Sequence, residues 1–234
     1  MPCERGRTVN KVSKVDDRVP IRRVLISLSD KSAIEMLVSA LCEIEGLHMY
    51  STGGTFQRIA DLLGPRADGV LKQVSEYTGQ PEMQGGLVKT LDFKIYVGLL
   101  SEPYNQVHVA DRQRLGADLI DMVVVNLYPF ESVSARSGAD AEDARSNIDI
   151  GGPCLLRAAA KSYLRVAAVC DPSDYRGIVE ELSAHSGTLG IDTRFRLAQK
   201  VFEHTARYDH AIAAYLTEKT LSAAIAPYAI ARDD

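Results

Sequence analysis

Ile120-Asp121-Met122-Val123-Val124-Val125-Asn126-Leu127-Tyr128-Pro129-Phe130 is the stretch that decides the fold. Its centre is apolar without alternation, the pattern of a strand buried on both faces in a parallel sheet. Working outward, residues 24–28, 47–51, 95–100 and 166–170 read as further short strands. Between them the period changes to that of a helix. Ile34, Leu37, Val38, Leu41 and Ile44 form one stripe, stopped by Gly46, with Ser32 and Glu35 at capping-box spacing. Residues 56–63, 105–115 and 173–182 are further helices, and 193–216 a long closing one. Gly151-Gly152-Pro153 opens another over 151–161, with proline placed where a first turn tolerates it. Residues 132–138 read as a flexible loop. Strands alternating with helices make an α/β fold, a parallel sheet flanked by helices on both faces, here with a C-terminal helical segment. In such sheets ligands bind at the carboxyl ends of the strands.

The chain has 234 residues, enough to bury a core, and its 46% hydrophobic and 25% charged residues are those of a globular protein. One domain over 22–217 is expected, between a flexible arm over 1–21 and a tail over 218–234. The net charge of -4 argues against nucleic acid as a partner. No apolar run reaches the roughly 20 residues of a membrane helix. The segment before Arg22 is polar and basic, unlike a signal peptide. Cys3, Cys42, Cys154 and Cys170 show no C-x-x-C spacing, and the five histidines are scattered, so no metal is expected. Reduced thiols suit a cytoplasmic location.

The polar motifs fall at strand ends. Ser29-Asp30-Lys31 follows the first strand and reads either as a phosphate or ribose contact or as helix capping. Ser51-Thr52-Gly53-Gly54-Thr55 follows the second, and reads either as an anion cradle or as a tight turn. Gly85-Gly86-Leu87-Val88-Lys89-Thr90-Leu91 offers Lys89 as a point charge for a phosphate or an oxyanion, or as a solvated lysine. Asn126 and Tyr128 can hydrogen-bond a heterocycle, or Tyr128 and Phe130 can pack in the core. Asp149, before Gly151, reads as a general base or as a helix cap. Arg157 and Lys161 stand four apart on one side of a helix. From the residues alone, the chain is an enzyme or a binding domain for a small phosphorylated ligand.

The ordered set of motifs goes further. Residues 27–31, 51–55, 88–91, 126–130, 147–153, 157–161 and 202–209 (Phe-x-His-Thr-Ala-x-Tyr-Asp) together resemble the inosine monophosphate cyclohydrolase domain of bifunctional purine biosynthesis proteins. The resemblance covers residues 22–216 and implies a methylglyoxal-synthase-like fold, a homodimer and no cofactor. The implied substrate is a formylated aminoimidazole carboxamide ribonucleotide, closed to inosine monophosphate with loss of water, a ring-closing use of hydrolase chemistry. By the same resemblance Lys89 and Tyr128 polarise the formyl oxygen, and Asp149 and Lys161 move protons. Ser29, Lys31, Thr52, Gly53, Gly54, Thr55 and Thr90 match phosphate- and ribose-side contacts, and Asn126 and Gly151 match base-side contacts. The family's larger formyltransferase domain has no counterpart after Tyr215, so another protein is expected to supply the substrate.

The chain departs from the family in one loop. Leu87 stands in place of an arginine, Leu91-Asp92-Phe93 in place of Leu-His-Pro, and Tyr96 in place of a histidine. The lost arginine removes a forked clamp, which Arg58 is a candidate to replace. The alternative function is a non-catalytic regulatory domain that keeps the phosphate cradle; a methylglyoxal synthase is a weaker rival. Retention of Lys89, Tyr128, Asp149 and Lys161 favours the enzyme.

Overall fold

A computed structural model describes residues 11–81 and 88–231. Cys3 and the Gly85-Gly86-Leu87 stretch lie outside the described residues. The chain runs through β1 (Arg18–Pro20), β2 (Arg23–Leu28), α1 (Ile34–Leu41), β3 (His48–Ser51), α2 (Gly53–Leu63), β4 (Leu71–Gln73) and α3 (Val74–Thr78). It continues with α4 (Phe93–Leu100), α5 (Gln106–Arg114), β5 (Met122–Asn126), α6 (Phe130–Ser134), α7 (Ala141–Ser146) and α8 (Gly151–Lys161). Then follow β6 (Ala167–Val169), α9 (Tyr175–Ala184), β7 (Thr188–Gly190), α10 (Ile191–Glu218) and α11 (Leu221–Ile225).

Five strands form a parallel sheet in the order β4-β3-β2-β5-β6. Alternate side chains of the buried strands point to opposite faces. Leu25, Val123, Val125 and Ala168 pack with Ile95 and Leu99 of α4, Leu155 and Ala159 of α8 and Val201 of α10. Val24, Ile26, Met122, Val124 and Val169 pack with Leu37 and Leu41 of α1, Ile59 of α2 and Ile178 of α9. Helices therefore cover both faces, which is why the strands are continuously apolar. From β2 the chain steps to β3 and β4 on one side, then returns to β5 on the other. The crevice outside the carboxyl ends of β2 and β5 is thus the topological switch point where α/β sheets bind ligands.

Four expectations are corrected. Residues 95–100 are helical, within α4, not a strand. A short apolar run does not by itself separate the two states. The Asp92 carboxylate accepts the Lys94 N–H at 2.8 Å to cap the helix, and burial of Ile95 and Leu99 at i, i+4 completes it. The Ser32–Glu35 capping box does not form. The Ser32 N–H and hydroxyl both donate to the Asp30 carboxylate, while Glu35 pairs with Arg58. Residues 130–134, expected in part as a loop, form α6, anchored by buried Phe130 and Val133.

The fourth concerns the arm. Residues 18–20 form β1, antiparallel to β7, and Ile21 is fully buried. Arg194, also fully buried, holds the segment by donating to the carbonyls of Asp16 and Asp17 on one side and Tyr163, Leu164 and Leu189 on the other. All five guanidinium N–H donors are spent, so the charge is solvated by peptide dipoles in place of water. Among the described residues no helix is long and apolar enough to cross a membrane.

Candidate active site

Lys89, Thr90, Asn126, Tyr128, Asp149 and Gly151 line one cleft of about 190 Å³ at the carboxyl ends of β2 and β5, with Ser27 and Ser29. Each arrives on a different segment. Ser27 and Ser29 come at the end of β2, Asn126 at the end of β5, and Asp149 and Gly151 at the start of α8.

The start of α2 adjoins this cleft. Thr52 is extended, and Gly53 turns into the helix at φ 46°, a left-handed conformation that favours glycine. A Cβ on Gly53 would stand 3.1 Å from the Lys89 Nζ, and one on Gly54 would stand 3.9 Å from the Lys31 Cε. Two lysines therefore border the first turn of one helix, whose leading N–H groups have no intrahelical acceptor. Lys31 also donates to the Ser29 carbonyl at 3.4 Å. Positive partial charge at the helix start and two ammonium groups make an anion cradle.

Two of the expected ligand contacts have another occupation. The Asn126 Oδ1 accepts the N–H groups of Ser29 and Asp30 at 2.7 and 2.9 Å, and its Nδ2 donates to the Asp30 carbonyl. The Thr55 hydroxyl accepts the Leu28 N–H at 2.9 Å and donates to the Leu28 carbonyl at 3.1 Å. Both side chains brace the β2–α1 loop and so shape the cleft by holding its wall. Thr52 is buried, with its hydroxyl 3.5 Å from that of Ser27. Thr90 is buried too, its hydroxyl 3.1 Å from where a Cβ on Gly151 would lie.

Asp149 both bonds to the start of α8 and lines the cleft. Its Oδ1 accepts the Gly152 N–H at 2.8 Å. Gly152 is required for this approach, because a Cβ there would fall 2.6 Å from the Asp149 Oδ2. Burial raises the Asp149 pKa above the usual carboxylate value, and the nearby backbone amides of Gly152 and Tyr128 only partly offset it. Tyr128 stands half exposed at the mouth of the cleft, whereas Phe130 two residues on is buried.

Lys161 is not brought to this place. It ends α8, whose start lines the cleft; ten residues of helix put it about 15 Å away, toward the amino ends of the strands, and it is exposed. Four-residue spacing correctly put Arg157 and Lys161 on one helix side but not at the cleft. Arg58 pairs with exposed Glu35 and lies outside the cleft lining, so it does not replace the arginine missing at Leu87. Asp92 caps α4, and Phe93 is largely exposed. Tyr96 is partly buried, with its hydroxyl beside the Cys154 thiol.

One residue was missed. The Tyr208 hydroxyl on α10 accepts the Asp149 N–H at 2.8 Å and donates to the Asn147 carbonyl at 3.2 Å. It lies in the 202–209 motif, to which sequence reading attached no role. Among the described residues no group of three or more His, Cys, Asp or Glu could hold a metal ion.

The MGS-like domain model matches residues 33–154, just over half of the chain. The AICARFT/IMPCHase bienzyme model matches residues 159–232. The chain is 45% identical over 199 residues to the bifunctional purine biosynthesis protein PurH of Ruminiclostridium cellulolyticum. That match covers 85% of this chain and 37% of the relative's length. Among solved structures, the chain superposes on ForH with a TM-score of 0.72 and 29% identity, covering 84% of this chain and 97% of that one. The MGS-like match spans the cradle's α2, Lys89, Asn126, Tyr128 and Asp149, and the parallel sheet is the fold expected of it; the chain belongs to the MGS-like domain family.

Proposed function

We propose that this chain is an inosine monophosphate cyclohydrolase, closing the pyrimidine ring of a formylated aminoimidazole carboxamide ribonucleotide. The observation that carries the reading is the convergence of Lys89, Tyr128 and Asp149 on one cleft beside the start of α2. Its supports are the match to the bienzyme model and to PurH.

In this reaction the carboxamide nitrogen bonds to the formyl carbon and gives up one proton, the formyl oxygen takes up a proton, and the resulting hydroxyl leaves as water with the proton of the formamide nitrogen, whose bond to that carbon becomes double. The reactants belong to one molecule, so the protein's largest contribution is to hold the folded-over rotamer. Lys31 and the start of α2 anchor the phosphate, at a place preset by Asn126 and Thr55. Lys89 and Tyr128 donate toward the formyl oxygen as charge develops on it. Asp149 accepts the proton of the attacking amide; its raised pKa makes it a stronger base than an ordinary aspartate. Lys161 is given no step, because it stands outside the cleft. The reading needs no metal or folate, assigns no formyl transfer to these residues, and places the protein in the cytoplasm. Association as a homodimer is supported by the exposed apolar side chains of α4 and α5, Phe93, Leu100 and Val107.

The test is turnover by purified protein without added metal or folate. Appearance of inosine monophosphate absorbance supports the enzyme. A folded protein that binds the nucleotide tightly without converting it supports the regulatory binding domain instead.

A further inference from the structure

The 202–209 motif lies on α10, a helix that contributes no residue to the cleft lining, yet Tyr208 reaches the loop that carries Asp149. Its ring is buried, edge-on to Phe130 at 6.3 Å between centroids, and Phe130 meets Tyr215 at 5.7 Å. Packing thus fixes where the hydroxyl points. The hydroxyl uses both hydrogen-bonding roles on one turn, accepting the Asp149 N–H and donating to the Asn147 carbonyl. Burial and the Asp149 and Asp209 charges raise the phenol's pKa, so it stays a neutral hydroxyl able to donate.

We propose that Tyr208 is a positioning residue, whose hydroxyl pins residues 147–149 so that the Asp149 carboxyl is held at the cleft in the geometry proton transfer requires. The proposal rests on the reading of Asp149 as the proton acceptor. The carboxylate is held from two directions: the Gly152 N–H fixes its oxygen from α8, and Tyr208 fixes its backbone from α10. Lys89 and Tyr128 are the other ionisable groups lining the same cleft. Without the hydroxyl, the loop keeps its place in sequence but loses the bond that sets its direction. Misplacement on the scale of 1 Å costs such a step about 100-fold.

The experiment compares kcat, KM and the kcat–pH profile of the unsubstituted chain, Tyr208→Phe and Tyr215→Leu, with active sites counted by inosine monophosphate binding. Tyr208→Phe should lower kcat per site about 10- to 100-fold, leave KM nearly unchanged and move the acid limb of the profile. Tyr215→Leu should loosen the same aromatic stack while keeping kcat per site and the limb. Amide exchange of the unsubstituted chain, which needs no variant to fold, should show the Asp149 N–H protected. Tyr208→Phe with unchanged kcat and limb, or an Asp149 N–H exchanging like a free loop amide, overturns the proposal. An unsubstituted chain that binds product but never turns over overturns the reading of the site, and the proposal with it.

Discussion

Lys89 and Gly53 come from segments 36 residues apart, yet the Lys89 ammonium stands 3.1 Å from the point a Cβ on Gly53 would occupy. This proximity joins the cleft that holds Asp149 to the helix start proposed to receive the phosphate. Gly53→Ala adds a methyl group there and forces a left-handed backbone on alanine, at a cost of roughly 1–2 kcal/mol. Measured by steady-state kinetics, KM should rise about tenfold or more, with a smaller change in kcat.

Asp149 should give kcat an acid limb above the range of an ordinary aspartate, because burial raises its pKa. The active form is the carboxylate, so the rate falls as pH drops through that pKa, about tenfold per unit, and levels above it. Asp149→Asn should abolish the limb with most of the rate. The stability sign is opposite. A carboxyl whose folded pKa is raised contributes no penalty below its unfolded value and its full penalty above its folded one. Asp149→Asn should therefore be at least as heat-stable as the unsubstituted chain at neutral pH, as thermal unfolding will show.

Asn126→Ala separates bracing from base recognition. Its side chain accepts the Ser29 and Asp30 amides and donates to the Asp30 carbonyl. Losing them should cost about 1–3 kcal/mol, a melting temperature lower by roughly 2–4 °C per kcal/mol, together with a higher KM. A variant of unchanged stability with impaired turnover would return Asn126 to the role of a base contact.

Arg194→Met should be among the most damaging changes far from the cleft. Five carbonyls lose their donor, and the segment leading into β1 loses its hold on α10. Each unsatisfied buried acceptor costs about 1 kcal/mol or more. Urea unfolding should show a destabilisation of more than about 3 kcal/mol, and limited proteolysis should cut near residue 16 first.

The parallel sheet was legible because 24–28, 48–51, 122–126 and 167–169 are short apolar runs separated by helical periods. β4 was not, since Leu71-Lys72-Gln73 carries almost no apolar signal and is a strand only because β3 offers it an edge. Residues 95–100 read as a strand because five apolar residues and a glycine fit either period. The left-handed turn into α2 showed itself through its glycines. The work of Asn126 and Thr55 did not, because a polar side chain at a strand end looks the same whether it faces a ligand or a neighbouring loop. For Lys161, helical spacing gives the side of α8 on which it stands but not which end of the helix meets the cleft. Tyr208 was hidden by distance, its partner Asp149 lying 59 residues earlier.

The most direct test of the account is a paired measurement on Asp149→Asn and Lys89→Met, with inosine monophosphate affinity and formylated-ribonucleotide turnover recorded for each. The account predicts that Asp149→Asn binds the nucleotide nearly as well as the unsubstituted chain and scarcely turns over, while Lys89→Met loses both. An Asp149→Asn protein that closes the ring at the full rate contradicts it.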